Sequence, residues 1–272
     1  MRNLILTMSL AGAFVMGAAG LGAAMAAQIA AEGLDSLPSA DVVVLGEVHD
    51  NPAHHFNQAR AVFALTPKAV VWEQLSADAA ARVPTELGDM DAVARALGWN
   101  QSGWPEFEMY YPIFVAARDA RHYGAEVPRD LARRSVSEGA LAVMPDGPGL
   151  ARALPESEQA AREAEQMAAH CDALPADLLP GMVQAQRLRD AYLAQAVLQA
   201  LDEVGPPVAV ITGSGHARKD WGVPAVLADA APGLSVLSVG QMEGTALVED
   251  APFDLWLVTE AVEREDPCAA FR

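Results

Sequence analysis

The sequence predicts an α/β protein in which a mainly parallel sheet is flanked by helices. Short valine-rich runs at residues 41–45 and 69–71 alternate with stretches of helical periodicity. A β-branched apolar run that leads into a polar loop is typical of a strand buried on both faces of a parallel sheet. The two runs enclose a helical stretch that begins near Pro52, and this βαβ unit implies a right-handed crossover.

The remaining elements predict one large domain, residues 28–272, whose sheet is interrupted by a helical insertion at about 76–204 that acts as a cap. Apolar residues at helical spacing predict helices at 76–82, 89–97, 105–122, 151–170 and 179–204. A short strand is expected within 124–133, where Pro128 weakens the pattern. Strand character returns at 207–212, 234–239 and 253–262.

The N-terminal segment predicts export. Residues 1–31 contain one charged side chain, that of Arg2, and residues 4–26 are almost entirely apolar or small. The stretch ends in a small-x-small pattern that suits cleavage on either side of Ala27. An uncleaved membrane anchor is the alternative, because the run is long enough to span a bilayer. We expect a signal peptide at 1–27 and a periplasmic or secreted location.

The charge balance argues against nucleic-acid partners. The chain has 18 lysines and arginines against 36 aspartates and glutamates, which gives a formal net charge of −18. Such a surface repels phosphate backbones.

The two cysteines, Cys171 and Cys268, predict a disulfide if the chain is exported. Two free thiols are the alternative. Because Cys171 is the first cysteine, none lies close behind the signal segment to carry a lipid anchor.

Three predicted strands end in acidic or imidazole side chains, which suggests a shared site. Glu47 and His49 follow the first strand, Glu73 follows the second, and His216 follows the run 207–212. Ligands bind at the carboxyl ends of the strands in open α/β sheets. Two histidines and two glutamates could hold a divalent metal, or they could form a metal-free cluster in which glutamate orients histidine as a general base. Either chemistry is compatible with these four residues.

The other candidate site residues could equally have a purely structural role. His54 and His55 lie in the first helical turn after the loop, near His49, where a histidine is commonly a surface residue. Tyr110 and Tyr111 lie on the cap helix, where aromatic residues commonly serve packing.

At these residues the chain resembles the ChaN-like haem-binding family, whose superfamily also holds the erythromycin esterases and the Tiki/TraB proteins. The resemblance spans roughly 41–262 and rests on four segments: Gly46-Glu47-Val48-His49-Asp50-Asn51, Trp72-Glu73, Gln186-x-x-x-Asp190 and Gly213-Ser214-Gly215-His216-Ala217-Arg218. It implies an α/β fold with a helical subdomain, and an exported, iron-linked role in which haem is bound with tyrosine among the iron ligands. Many ChaN-like proteins are lipoproteins, and this chain departs from that pattern.

Three functions follow as competing hypotheses. We favour an exported haem-binding protein of iron or haem acquisition, which could form a haem-dependent homodimer. The alternatives are a hydrolase, with or without a divalent metal, and a binding module with a vestigial site. The residues expected to contact haem are Tyr110, Tyr111, His54, His55 and Arg218, and those expected to act in hydrolysis or hold a metal are Glu47, His49, Glu73 and His216.

Overall fold

The computed structural model describes residues 26–244, 250–266 and 268–269. Within these residues a single seven-stranded sheet forms, and every neighbouring pair of its strands is parallel. The strands are β1 (Ala27–Gln28), β2 (Val42–Glu47), β3 (Ala69–Trp72), β4 (Arg121–Gly124), β5 (Val208–Gly213), β6 (Val236–Glu243) and β7 (Leu255–Thr259). Their order across the sheet is β1-β7-β6-β2-β5-β3-β4, which confirms the predicted α/β class with a parallel sheet.

Helices cover both faces of this sheet. The α-helices are α1 (Pro52–Leu65), α2 (Ala77–Ala80), α3 (Met90–Leu97), α4 (Phe107–Ala116), α5 (Arg129–Glu138), α6 (Ala140–Val143), α7 (Glu156–Ala169), α8 (Leu179–Val204), α9 (Ser214–Ala217) and α10 (Val223–Ala230), and short 3₁₀ helices lie at Ala31–Ser36, Trp99–Gln101 and Ala176–Leu178. No helix in the described ranges is long and apolar enough to cross a membrane.

The side chains of β2 alternate between the two faces of the sheet, and each face has its own hydrophobic core. Val43 and Leu45 pack with α1 and α4 on one face of the sheet, whereas Val42 and Val44 pack with α8 and α10 on the other. Successive side chains of a strand point to opposite faces, so a strand that is apolar at every position must be covered on both.

The edge strand β4 corrects two predictions. The helix predicted at 105–122 ends at Ala116, and residues 121–124 pair with β3 instead. The strand predicted within 124–133 is wrong, because α5 begins at Arg129, directly after Pro128. A Cβ atom at Gly124 would lie 2.1 Å from the carbonyl oxygen of Ser76, so β4 can approach this segment only with glycine there. The predicted helical insertion is therefore split in two by a strand.

The predicted disulfide is present. Cys171, just beyond α7, is bonded to Cys268 in the C-terminal tail. Arg264 holds the same tail to the loop after β2 through a two-pronged ion pair with Asp50. The predicted signal segment 1–27 lies outside the described residues except for its last two.

Candidate functional site

The site lies at the carboxyl ends of three neighbouring strands. Strand β5 runs between β2 and β3, with Glu47 in register with Gly213 and Trp72 in register with Ile211. Glu47 ends β2 and Glu73 directly follows β3, while His216 lies on the short helix α9 that directly follows β5. The register therefore gathers the acidic and imidazole groups that the sequence spreads over 170 residues, Glu47 to His216.

Glu47 is the buried acid at the centre of the cluster. Its Oε1 accepts hydrogen bonds from Tyr110 Oη at 2.7 Å, His49 Nδ1 at 2.8 Å and Gln74 Nε2 at 3.1 Å. Burial alone would raise the pKa of Glu47, but the His49 hydrogen bond and the nearby His55 ring outweigh it and lower the pKa to about 2. Glu47 is thus a fixed negative charge.

His49 is the most accessible member of the cluster. Its side chain is 39% exposed, and its ring meets the Trp104 ring edge-on at 4.8 Å. The Nδ1 atom is engaged by Glu47, whereas Nε2 has no hydrogen-bond partner in the described part of the chain. A Cβ atom at Gly213 would lie 3.1 Å from Nε2, so the glycine leaves room for this ring.

Glu73 is held by β5. Its Oε2 accepts hydrogen bonds from the Thr212 hydroxyl at 2.7 Å and the Gly213 amide at 2.8 Å. Burial opposes ionisation, but the charges of His216 and His49, together with these hydrogen bonds, lower the pKa of Glu73. The other oxygen, Oε1, lies 3.6 Å from His216 Nε2.

His216 is a buried imidazole between two carboxylates. Its Nδ1 donates to Asp190 Oδ1 at 2.7 Å, and Glu73 lies on the other side of the ring. Burial lowers the pKa of His216, yet the charges of Glu73 and Asp190 raise it to about 9 overall. At neutral pH the ring is therefore an imidazolium with hydrogens on both nitrogens.

The arrangement is that of an acid/base cluster. Among the residues described, no group of three or more His, Cys, Asp or Glu side chains is placed to hold a metal ion. The predicted divalent-metal set of Glu47, His49, Glu73 and His216 is thus divided into two pairs, Glu47–His49 and Glu73–His216.

Tyr110 differs from its expected role as a haem ligand. It is fully buried, and its hydroxyl donates to Glu47. Burial, followed by the charge of Glu47, raises the pKa of Tyr110 far above its usual range, so the phenolate that would bind iron is disfavoured. Tyr110 positions Glu47 instead.

His54 and His55 are also buried. The Val48 amide donates to His54 Nδ1 at 2.8 Å, and His54 Nε2 bonds the Thr259 hydroxyl at 2.8 Å. Burial lowers the pKa of His54 to about 4, so the ring stays neutral. His55 Nε2 donates to the His49 carbonyl oxygen at 2.8 Å. Both rings therefore fasten the loop that carries His49, and both are fully buried.

Tyr111 and Arg218 lie outside the cluster. The Tyr111 hydroxyl donates to the Gly88 carbonyl oxygen at 3.2 Å. Arg218 pairs with Asp220 at 2.6 Å and stacks on the Trp221 ring at 3.8 Å, so its charge is already matched.

Sequence reasoning missed three contributors. Gln74 directly follows Glu73 in the sequence, and Asp190 belongs to the motif on the predicted helix 179–204, but neither residue was expected to have a role. No sequence signal marks Trp104, whose contact with His49 depends on the path of the chain between α3 and α4.

One of the similar solved structures supports the fold. ChaN of Campylobacter jejuni, solved with cofacial haem binding, is 18% identical with a TM-score of 0.63, and the match covers 82% of this chain and 88% of that one. The type III effector HopBA1 matches at 13% identity and a TM-score of 0.42, covering 81% of this chain and 88% of its own. A Bacillus cereus protein matches at 13% identity and 0.37, covering 88% and 74% respectively. No curated protein sequence matches the chain.

A family model supplies the stronger assignment. The model described as haem-binding uptake, Tiki superfamily, ChaN matches residues 33–227, which include all four predicted catalytic residues. The match covers well over half of the chain and extends from the segment before β2 into α10. This chain therefore belongs to the ChaN family of the Tiki superfamily.

Proposed function

We propose that this protein binds haem, and that His49 is the residue that reaches the iron. The observation that carries the proposal is the state of the His49 ring, which is partly exposed, anchored at Nδ1 by Glu47 and without a hydrogen-bond partner at Nε2 among the described residues. A carboxylate on one ring nitrogen fixes the tautomer and orientation and makes the other nitrogen a better ligand. Haem iron commonly takes such a histidine as an axial ligand.

The surroundings of His49 fit a porphyrin. Trp104 supplies an aromatic surface beside the ring, and both residues are half-buried. Arg129 is exposed, donates to the Ser102 carbonyl oxygen at 2.9 Å and forms no salt bridge within the described ranges. An exposed guanidinium that forms no salt bridge suits a haem propionate. Arg129 thus replaces Arg218 in the proposal, since Arg218 is already paired.

Haem binding also suggests a cellular location and a role for the protein. We propose that it is exported and acts in iron or haem acquisition, because the apolar N-terminal run suits a signal peptide and the Cys171–Cys268 bond suits an oxidising compartment. N-terminal sequencing of the protein recovered from the periplasm or medium tests this, and a protein found only in the cytoplasm with an intact N-terminus would contradict it.

A haemin titration of the purified protein, followed in the Soret region, tests haem binding itself. The proposal predicts a saturable Soret shift at a defined stoichiometry. Size-exclusion runs with and without haemin then test the haem-dependent homodimer. A linear response that matches free haemin would remove haem binding from consideration.

A second candidate function, hydrolysis, is favoured by the Asp190–His216–Glu73 arrangement. A buried imidazolium with one hydrogen directed away from its anchoring carboxylate can donate to a developing oxyanion or leaving group. A panel of activated esters and amides tests it. The candidate requires activity that His216→Asn lowers by about 100-fold or more, and equal activity in wild type and variant would exclude it.

A further inference from the structure

A small cavity adjoins His216 on the side of the helical layer. It has a volume of about 130 Å³ and lies between α7, α8 and α9. A space of about 10–15 Å³ by this measure holds one water, so the cavity has room for several waters or for one small functional group. Residues that shape it include Gln166, Val183, Gln186, Gly215, His216 and Trp221.

Three polar groups around this cavity have no hydrogen-bond partner among the described residues. Gln166 Oε1 is buried and accepts no hydrogen bond. The side-chain amide of Gln186 makes no hydrogen bond to any described residue. His216 Nε2 lies 3.6 Å from Glu73 Oε1, which is beyond hydrogen-bond range. Gln166 Oε1 is the buried atom of the three, and buried polar atoms are nearly always satisfied, so this open acceptor beside an open donor and an open amide points to a ligand.

The charges around the cavity are already paired. Arg162 binds Glu158 at 2.6 Å and Asp190 binds His216 at 2.7 Å. The remaining acid in the lining, Glu165, lies 3.5 Å from Arg218. A charged ligand would have to be desolvated without an opposite charge to meet it, whereas a neutral polar group would not.

We propose that this cavity is a binding subsite for a neutral carboxamide group of a ligand. The carboxamide carbonyl oxygen would accept from His216 Nε2, and its N–H group would donate to Gln166 Oε1. Gln186, one helical turn from Asp190 on α8, would complete the contacts, since its amide can both donate and accept. Val183 and Trp221 supply the apolar walls. The subsite lies between α7, α8 and α9, and ligand binding there does not require haem.

Acetamide is the probe that tests this proposal. In protein labelled with ¹⁵N-histidine, titration with acetamide should shift the ring signals of His216 saturably, with a dissociation constant in the millimolar range. Acetate and methylammonium, of similar size but charged, should produce no saturable shift.

Variants locate the contact. Gln166→Leu and Gln186→Leu should each weaken acetamide binding by about tenfold, while Gln195→Leu, at an exposed position of the same helix α8, should bind as the wild type does. The proposal is overturned if acetamide causes no saturable shift, if acetate binds as well, or if both cavity variants keep wild-type affinity. Haemin binding is measured separately in the Soret region. A failure to bind acetamide would therefore leave the haem proposal standing, and a failure to bind haemin would leave the subsite proposal standing.

Discussion

The Tyr110 hydroxyl donates a 2.7 Å hydrogen bond to the same Glu47 oxygen that accepts from His49 Nδ1. Both side chains, Tyr110 and Glu47, are buried, whereas the His49 side chain is 39% exposed. A tyrosine in the core is thereby linked through one carboxylate to an imidazole at the surface. The orientation of the exposed ring is set from inside the protein.

Replacement of Tyr110 by phenylalanine should cost stability. Glu47 loses one of three donors but keeps His49 and Gln74, so we expect the free energy of unfolding to fall by about 1–2 kcal/mol. Tyr111→Phe is the matched control on α4, and its loss should stay within about 0.5 kcal/mol. Urea unfolding of both variants checks this, and equal losses would contradict the assigned role of Tyr110.

The pKa of His216 predicts a pH-dependent stability. It is raised from 6.5 to about 9 in the folded protein, so the folded state binds the proton more tightly than the unfolded state. The resulting stabilisation is fully present below about pH 6.5 and is lost as the pH rises through about 9, with an upper limit of about 3 kcal/mol.

Urea unfolding between pH 6 and about pH 10 measures this effect. His216→Gln should be less stable than wild type at low pH, and the difference should shrink as the pH rises. His170→Gln, altered outside the cluster, should keep the wild-type pH dependence. A difference between wild type and His216→Gln that does not vary with pH would show that the ring is not an imidazolium.

The disulfide should contribute measurably to stability. Cys171 and Cys268 are 97 residues apart, and closing a loop of that length restricts the unfolded chain. We expect the Cys171→Ser, Cys268→Ser double variant to lose about 2–4 kcal/mol. Thermal unfolding with and without dithiothreitol checks this, because reductant should lower the Tm of the wild type but leave the double variant unchanged. A wild-type Tm that is insensitive to full reduction would contradict it.

Gly124 offers a test of the β4 contact. A methyl group there would meet the Ser76 backbone, so Gly124→Ala should cost about 3 kcal/mol or more. Gly88→Ala is the control, since a Cβ atom at that position has nothing within 4 Å and should change stability by less than about 0.5 kcal/mol. Similar unfolding curves for the two variants would contradict the close approach of β4 to this segment.

The sheet and the gathering of the site could be predicted from local patterns. The runs around Val43, Val70 and Val210 are apolar at every position, and that pattern is typical of strands covered on both faces. Once such strands are parallel, the residues after them meet at one edge. The positions of Glu47, Glu73 and His216 follow from this rule alone.

The environment of each side chain could not be predicted in the same way. Tyr110 has the same local pattern as Tyr111, and only the packing of α4 against α1 decides which ring enters the core. Likewise, His54 and His55 follow a loop whose backbone forms a hydrogen bond with one ring nitrogen of each residue. The edge strand β4 was missed because Arg121 and His122 make a weak strand pattern, and its pairing depends on a glycine contact distant in sequence.

Haemin titration of wild type, His49→Ala and the Tyr110→Phe, Tyr111→Phe double variant tests the central claim most directly. If His49 reaches the iron, His49→Ala should weaken saturable binding in the Soret region by about tenfold or more. The double tyrosine variant should stay within about threefold of wild type, because both hydroxyls are already used inside the protein and Glu47 keeps its hydrogen bonds to His49 and Gln74 without Tyr110. Wild-type affinity in His49→Ala together with lost binding in the tyrosine variant would contradict the account and return the haem site to the α4 tyrosines.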